Sequence, residues 1–557
     1  MTMPFPARIA RLAVAFAFLA KPAAAEYLFV GIMETDSYQS AIYGASAFSR
    51  IADLPLALDL VNDTLTKNLL TPSLAGIATQ ERLRVVRAID VSRPVSDDNP
   101  ANIAIIPLAD RGETLHGAYE AAYASRSSAG MTTLFESPAD TNHPPRVALA
   151  VAGRHMLTST SREALAWAWE NRSKLIDAPP QNIPGTFRVL VNPQRFADLV
   201  GSRNQTLSPL LDTGKLLRDF ESLSFSLTLE GQAVSLTLRG TPKKDSQLDA
   251  LARSMRKPSD NLWHGIPENA FYASLAANSQ PDTWTPYRGS ARLNLLHPVG
   301  GLAPNSAFTG DRLYYMAPNR DRKGFCLVQI EPVTNAAPVR DAIKRLHSAE
   351  KDDMFVLSPQ PPRRVGDITI ETYGISPQPP ARTQGTPAEA PSVAMTILTL
   401  FLKNAVLETA VTDGHLITVI GPPGSIDEEF ATLRFQEKML TLSRKVGVQH
   451  TSLAGDMTCA ASMRLAVFLR HVVSIMPGIK PEQLRVLPLS GDGATFGIAL
   501  TDEPVINVSL RIEANEVAAL QRINKEGREL LQEVFFQMFA KQMMEMQQAP
   551  VKQQEAP

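Results

Sequence analysis

The sequence predicts an α+β fold: two diverged tandem copies of a mainly antiparallel sheet covered by helices, following a cleaved signal peptide. Three observations lead there. The N-terminus has the composition of an export signal, one order of strand and helix patterns occurs twice, and the runs between turn residues alternate with the period of half-buried strands.

The leader comes first. Arg8 and Arg11 make a positive start, Leu12 to Ala20 an apolar core, and Ala23, Ala24 and Ala25 a small-residue cleavage region, so removal of residues 1–25 is expected. The apolar core is about half as long as a bilayer-crossing helix and runs into Pro22, which favours a cleaved leader over an anchor. No cysteine follows the cleavage point to carry a lipid. The expected location is the periplasm or the secreted space, with no transmembrane segment after cleavage.

Copy one is expected over 26–257. Its strand pattern Asn102 to Pro107 precedes a helical stripe of Leu115, Ala118, Tyr119 and Ala122, and a hairpin pattern follows, Arg146 to Val151 and His155 to Thr158 around Ala152 and Gly153. The next helix opens on the capping-box pattern Thr160 to Glu163. Phe187 to Val191 reads as a strand leading into a helix near Pro193. A last hairpin, Leu223 to Leu229 with Val234 to Leu238, alternates as a sheet with one face buried and one in water.

Copy two is expected over 266–530, with the same order. Phe325 to Pro332 precedes the stripe Val339, Ala342, Ile343, Leu346; Leu407 to Val411 and His415 to Thr418 make the hairpin; Ser425 to Glu428 is the capping box. Met457 to Ala461, a helix near Met463 and a hairpin from Thr495 to Ile512 complete it. Two additions distinguish this half. The segment 358–392 repeats Ser-Pro-Gln-Pro-Pro and is expected as a solvated loop, with partner docking as the functional reading. The C-terminal helix is expected to start near Glu516 and run to Met546, with 531–557 forming its extension and a disordered tail. Phe535, Phe536, Met538, Phe539, Met543 and Met544 leave it apolar on more than one side, so they either pack on their own domain or contact a protein partner or a second copy.

Cys326 and Cys459 are the two cysteines, too few for a disulfide-built scaffold. In an oxidising compartment they could pair; the alternative is a buried free thiol at each position.

Charge argues against nucleic acid. Of 55 basic and 56 acidic residues, the leader removes Arg8, Arg11 and Lys21, leaving a net charge of −4, which does not favour a phosphate backbone. Catalytic signatures are missing in turn. Ser254 to Lys257 and Ser348 to Lys351 match Ser-x-x-Lys but sit at expected helix ends, no Gly-x-Ser-x-Gly occurs, and Pro422 and Pro423 remove amides that a phosphate loop at Gly421 would need. The nine histidines have no metal spacing, and the acidic clusters lack the order of a calcium loop. No cofactor, metal or catalytic residue is assigned. The function expected is a non-enzymatic binding or scaffold module outside the cytoplasm. The alternative is a hydrolase of envelope polymers whose carboxylates converge only in the fold.

Overall fold

The computed structural model describes residues 27–53, 56–90, 101–138, 144–178, 183–202, 213–258, 262, 266–267, 269–277, 299, 302–319, 324–346, 355–377, 402, 405–412, 414–434, 457–475, 479–488, 493–499, 504–530, 532–533 and 536. The expected signal segment 1–25 lies outside the described residues, as do 378–392, Phe535, and Met538, Phe539, Met543 and Met544.

Among the described residues, twenty strands belong to a single antiparallel sheet. The chain divides into two compact units, 1–255 with 285–291 and 496–518, and 256–284 with 292–495 and 519–557.

The first unit contains β1 (Tyr27–Thr35), β2 (Leu83–Asp90), β3 (Ala101–Pro107), β4 (Tyr123–Ala129), β5 (Thr132–Pro138), β6 (Arg146–Ala152), β7 (His155–Ser159), β8 (Phe187–Val191), β9 (Phe220–Glu230), β10 (Ala233–Pro242) and, from far along the chain, β20 (Ile506–Glu513). They pair in the order β4-β5-β6-β7-β3-β2-β1-β8-β9-β10-β20. Helices α1 (Tyr38–Ala52), α2 (Leu56–Leu69), α3 (Glu113–Ala122), α4 (Arg162–Glu170), α5 (Arg172–Ile176), α6 (Pro193–Ser202), α7 (Thr213–Arg218) and α8 (Gln247–Ser254) connect them.

Helices cover both faces at β3, whose residues are buried on either side. Ala104 and Ile106 join Leu65, Leu69, Leu115 and Tyr119 from α2 and α3. Ile103 and Ile105 on the opposite face join Ala164, Leu165 and Ala168 from α4. A strand buried on both faces reads as a continuous apolar run, and Ile103 to Pro107 is one. The helix α4 starts one residue later than its sequence pattern suggests. Ser161 is its cap, accepting from the Ala164 amide at 3.3 Å and donating to Glu163 at 2.6 Å.

The second unit contains β11 (Tyr272–Ala276), β12 (Arg312–Pro318), β13 (Phe325–Pro332), β14 (Phe355–Val365), β15 (Ile368–Pro377), β16 (Val406–Thr412), β17 (His415–Gly421) and β18 (Met457–Met463), paired as β14-β15-β16-β17-β13-β12-β11-β18. Strand β19 (Ala494–Ala499), most of which belongs to the first unit, pairs with β20. Helix α9 (Ala336–Lys344) buries Val339, Ala342 and Ile343 against Leu407, Leu416 and Ile420. Helix α10 (Ser425–Arg434) buries Ile426 and Phe430 against Tyr315, Cys326, Val328 and Val419. Helix α11 (Leu465–Ser474) follows, and α12 (Ala514–Glu526) begins in the first unit and continues in the second from Ala519.

The fold class expected from the sequence is corrected by the sheet. In place of tandem copies with a sheet each, the strands join one antiparallel sheet, and β20 is spent on β10, in register from Ala233↔Glu513 to Gly240↔Ile506. The reason is the edge. Strand β10 would otherwise present a row of unpaired amides and carbonyls, and β20 supplies partners while continuing the apolar rows Val234↔Ile512, Leu236↔Leu510 and Leu238↔Val508.

The proline-rich segment is corrected as well over its first part. Residues 358–377 are not loop but most of the β14–β15 hairpin. Pro361 and Pro362 fall where the register shifts between Gln360 and Arg363, and β14 pairs only with β15 in the described register, so missing amides cost it little. The C-terminal helix is interrupted within its expected span, with helix again at 528–530, 532–533 and 536. Its first part ends at Glu526, where Gly527 bends the chain. A Cβ at Gly527 would stand 2.9 Å from the Ile523 carbonyl oxygen and 3.0 Å from Leu487 Cδ2.

Candidate functional site

Three deeply buried charged side chains of the first unit, Glu34, Arg84 and Arg188, lie in one row that runs across six strands. Arg84 on β2 is in register with Glu34 on β1, and Glu34 with Arg188 on β8; the row continues through Ser226 on β9, Thr237 on β10 and Ser509 on β20. Because side chains alternate across a strand, all six stand on one face. Ile105, in register with Arg84 on the other side, belongs to the apolar core under α4. The row therefore passes from hydrocarbon, through charge, to hydroxyl groups.

Glu34 is 1% exposed and takes its partners from both sides. Arg84 grips one oxygen through Nε at 3.0 Å and Nη2 at 2.8 Å, and its Nη1 donates to the Leu175 carbonyl at 2.7 Å. Arg188 Nη2 donates to the other oxygen at 3.1 Å and also reaches the Asp36 carboxylate. A third guanidinium, Arg82, donates to the Ala178 carbonyl at 2.7 Å and brings Nη1 to 3.7 Å from Glu34. Burial and the Arg84 guanidinium pull the Arg82 pKa below its ordinary value, while Glu34 works the other way. Two donors here, Arg82 Nη1 and Arg188 Nε, are buried and meet no acceptor. Ser226 is itself 3% exposed, because Gly185 lies over it: a Cβ at Gly185, whose φ is +144°, would sit 2.8 Å from Ser226 Cβ. The face of β9 expected to meet water is buried at that point.

A second cluster lies in the second unit. Tyr315, on β12, donates its phenolic hydrogen bond to Glu429 on α10. Burial pushes the Glu429 carboxyl up to about 7, with Glu428 adding to the rise and the Tyr315 bond opposing it. Cys326 stands beside it, its thiol raised to about 11 by burial. The start of α10 is held by a carboxylate the sequence did not mark. Glu408 on β16 accepts from the Gly424 amide at 2.9 Å and the Ile426 amide at 3.1 Å, and from Arg363 Nη2 at 2.9 Å. The expected Ser425 capping box is thus replaced: the Ser425 hydroxyl donates to the Pro422 carbonyl at 2.7 Å. Arg363 comes from β14, inside the proline-rich segment, and also pairs with Asp427 at 2.8 Å.

The residues singled out in the sequence do not converge. Cys326 and Cys459 are both free, which corrects the bond considered between them. Strands β11 and β12 separate β18 from β13, so the thiols are at least roughly 14 Å apart at about 4.8 Å per strand, beyond the reach of a disulfide. They also face opposite sides, since their register rows meet β12 at Arg312 and Ala317, five positions apart. Ser254 closes α8, with its hydroxyl on the Leu251 carbonyl at 2.8 Å, at a helix end as expected. Phe536 is helical and 75% exposed; it is the one described residue of the C-terminal apolar set. Among the described residues no three His, Cys, Asp or Glu side chains group as a metal site, and no helix is long and apolar enough to cross a membrane.

Sequence reasoning missed Glu34, Arg84, Arg188 and Glu408, and took Glu429 only as part of an acidic cluster at a helix start. Glu34 and Arg84 do carry a signal, since each interrupts an apolar strand run, but which strands would bring them together was not written in either run.

No protein-family model matches this chain, and no match was found among curated proteins or solved structures. The reading of function therefore rests on the chain's own geometry.

Proposed function

We propose that the protein is an exported, non-enzymatic binding or scaffold module of the periplasm or secreted space. The observation that carries this is the row from Arg84 to Ser509. Its charged end is buried, and at its other end the half-buried Thr237 and Ser509 present hydroxyl groups, which recognise polar ligands. Arginine and hydroxyl side chains extend the face: Arg239 stands in register with Ser224 and Asn507, and Arg511 with Ser235. A second contact is assigned to the C-terminal segment around Phe536, towards a protein partner or a second copy. Export is supported by the leader composition of residues 1–25.

The test is affinity capture from the native envelope with the chain starting at Glu26, beside an Arg239→Glu variant and a truncation before Gln532. Loss of captured material in either altered chain supports the corresponding surface. Identical capture by all three ends the proposal. N-terminal sequencing of the mature protein tests export directly, with Glu26 as the expected first residue.

Glu429 favours a second reading, a hydrolase of envelope polymers, because a carboxyl near 7 suits a general acid. Against it, the carboxyl is engaged by Tyr315 next to the apolar Ile426 and Phe430 core. Release of soluble fragments from purified envelope polymer, abolished by Glu429→Gln, would establish this second reading; no release would remove it.

A further inference from the structure

We infer that Arg82 and Arg188 form a site for a small oxyanion, a carboxylate or phosphate group, at the end of β1. The inference deepens the binding-module reading and rests on it, naming the ligand class for one part of that face.

Charge is the first argument. Three guanidiniums, Arg82, Arg84 and Arg188, gather about the buried carboxylate of Glu34. Asp36 adds a second negative charge, but its side chain is 63% exposed. Among the described residues, the buried part of the cluster thus carries more positive charge than its carboxylate neutralises, and excess positive charge shielded from water is costly unless an anion supplies the balance.

The second argument is the donor inventory. Arg84 is fully occupied by Glu34 and the Leu175 and Ala178 carbonyls. Arg188 is not: its side chain is 7% exposed, yet Nε has no acceptor. Arg82 Nη1 has none either, although Glu34 lies 3.7 Å away. Unmet donors on two cationic groups beside one carboxylate are what a planar or tetrahedral oxyanion satisfies, by charge-assisted bonds to more than one guanidinium. Asp36 holds Arg188 from the solvent side, so it is the internal group that an incoming anion would displace.

The experiment titrates the full mature chain with inorganic phosphate, and separately with acetate, at low ionic strength, following heat and thermal unfolding. One site per chain is expected. Arg82→Gln should weaken binding about tenfold or more, the worth of one charge-assisted hydrogen bond. Asp36→Asn should tighten it, because the competing carboxylate is gone. Opposite signs for the two variants are the decisive result, since a purely structural ion cluster would be loosened by both. Should Arg82→Gln fail to fold, Asp36→Asn alone decides, being a change at an exposed carboxylate. Response to phosphate alone or to acetate alone names the ligand class; response to neither, or no tightening in Asp36→Asn, overturns the inference. Anion binding with unaltered envelope capture would instead remove the wider proposal and leave this site standing.

Discussion

Glu34 on β1 and Arg188 on β8 face each other in register at 3.1 Å, and Arg84 holds the other Glu34 oxygen from the opposite strand at 2.8 Å. One carboxylate thereby ties three adjacent strands together at a depth where water does not reach it. A buried charge is costly by itself, so the arrangement stabilises only while all its members are present.

Removing the central member follows from that. Glu34→Ala leaves Arg84 and Arg188 buried without their shared carboxylate, and the expected loss of stability is about 3–5 kcal/mol. A fall in the denaturant midpoint, measured by tryptophan fluorescence, checks it; an unchanged midpoint would show the pair to be dispensable.

Glu429 predicts a pH dependence. Its folded pKa of about 7 lies above the ordinary carboxyl value, so the folded state keeps a proton that the unfolded chain has already released. The protonated Glu429 is stable without penalty below pH about 4.5, and stability falls as pH rises from there to about 7, by at most about 3 kcal/mol. Glu429→Gln should flatten this part of the stability curve. Equal slopes in the two proteins between those limits would refute the assignment.

Gly240 predicts a steric cost. A Cβ at this position of β10 would lie 2.2 Å from Phe220 Cε1 and 2.6 Å from Cδ1, and Phe220 is itself buried. Gly240→Ala is expected to destabilise by about 1–3 kcal/mol through overpacking, and Gly240→Ala combined with Phe220→Leu to recover part of that. Denaturant melts of the single and double variants measure both.

The thiols give a chemical check. Unfolded protein alkylated without any reductant should carry two adducts, at Cys326 and Cys459. In the native state both should react slowly, because burial holds each thiol at about 11 and little thiolate is present at neutral pH. Mass spectrometry showing a protein with no adducts after unfolding would mean that the two are bonded.

Much of the local structure could be read from the chain. The turn at Gly153, with φ of +62°, sits between strands whose apolar runs announced them, and Phe187–Val191 is a strand where the pattern placed it. Prolines misled where composition was weighed above position. Pro361 and Pro362 suggested an unpaired loop, yet an edge strand tolerates them at a bulge, and that strand delivers Arg363 to Glu408. The Ser425 pattern misled because a carboxylate from another strand caps the helix better than its own side chains.

Periodicity, turn residues and caps are local, so the sequence by itself determined where many of the strands and helices lie and which side of them is apolar. Pairing is not local. That β20 lies along β10, that Glu34 meets Arg84 and Arg188, and that Glu408 reaches the start of α10 depend on backbone hydrogen bonds between segments tens to hundreds of residues apart. Alternation fixes the face of a strand but leaves its neighbour open, and only the assembled sheet chose the neighbours that set these charges side by side.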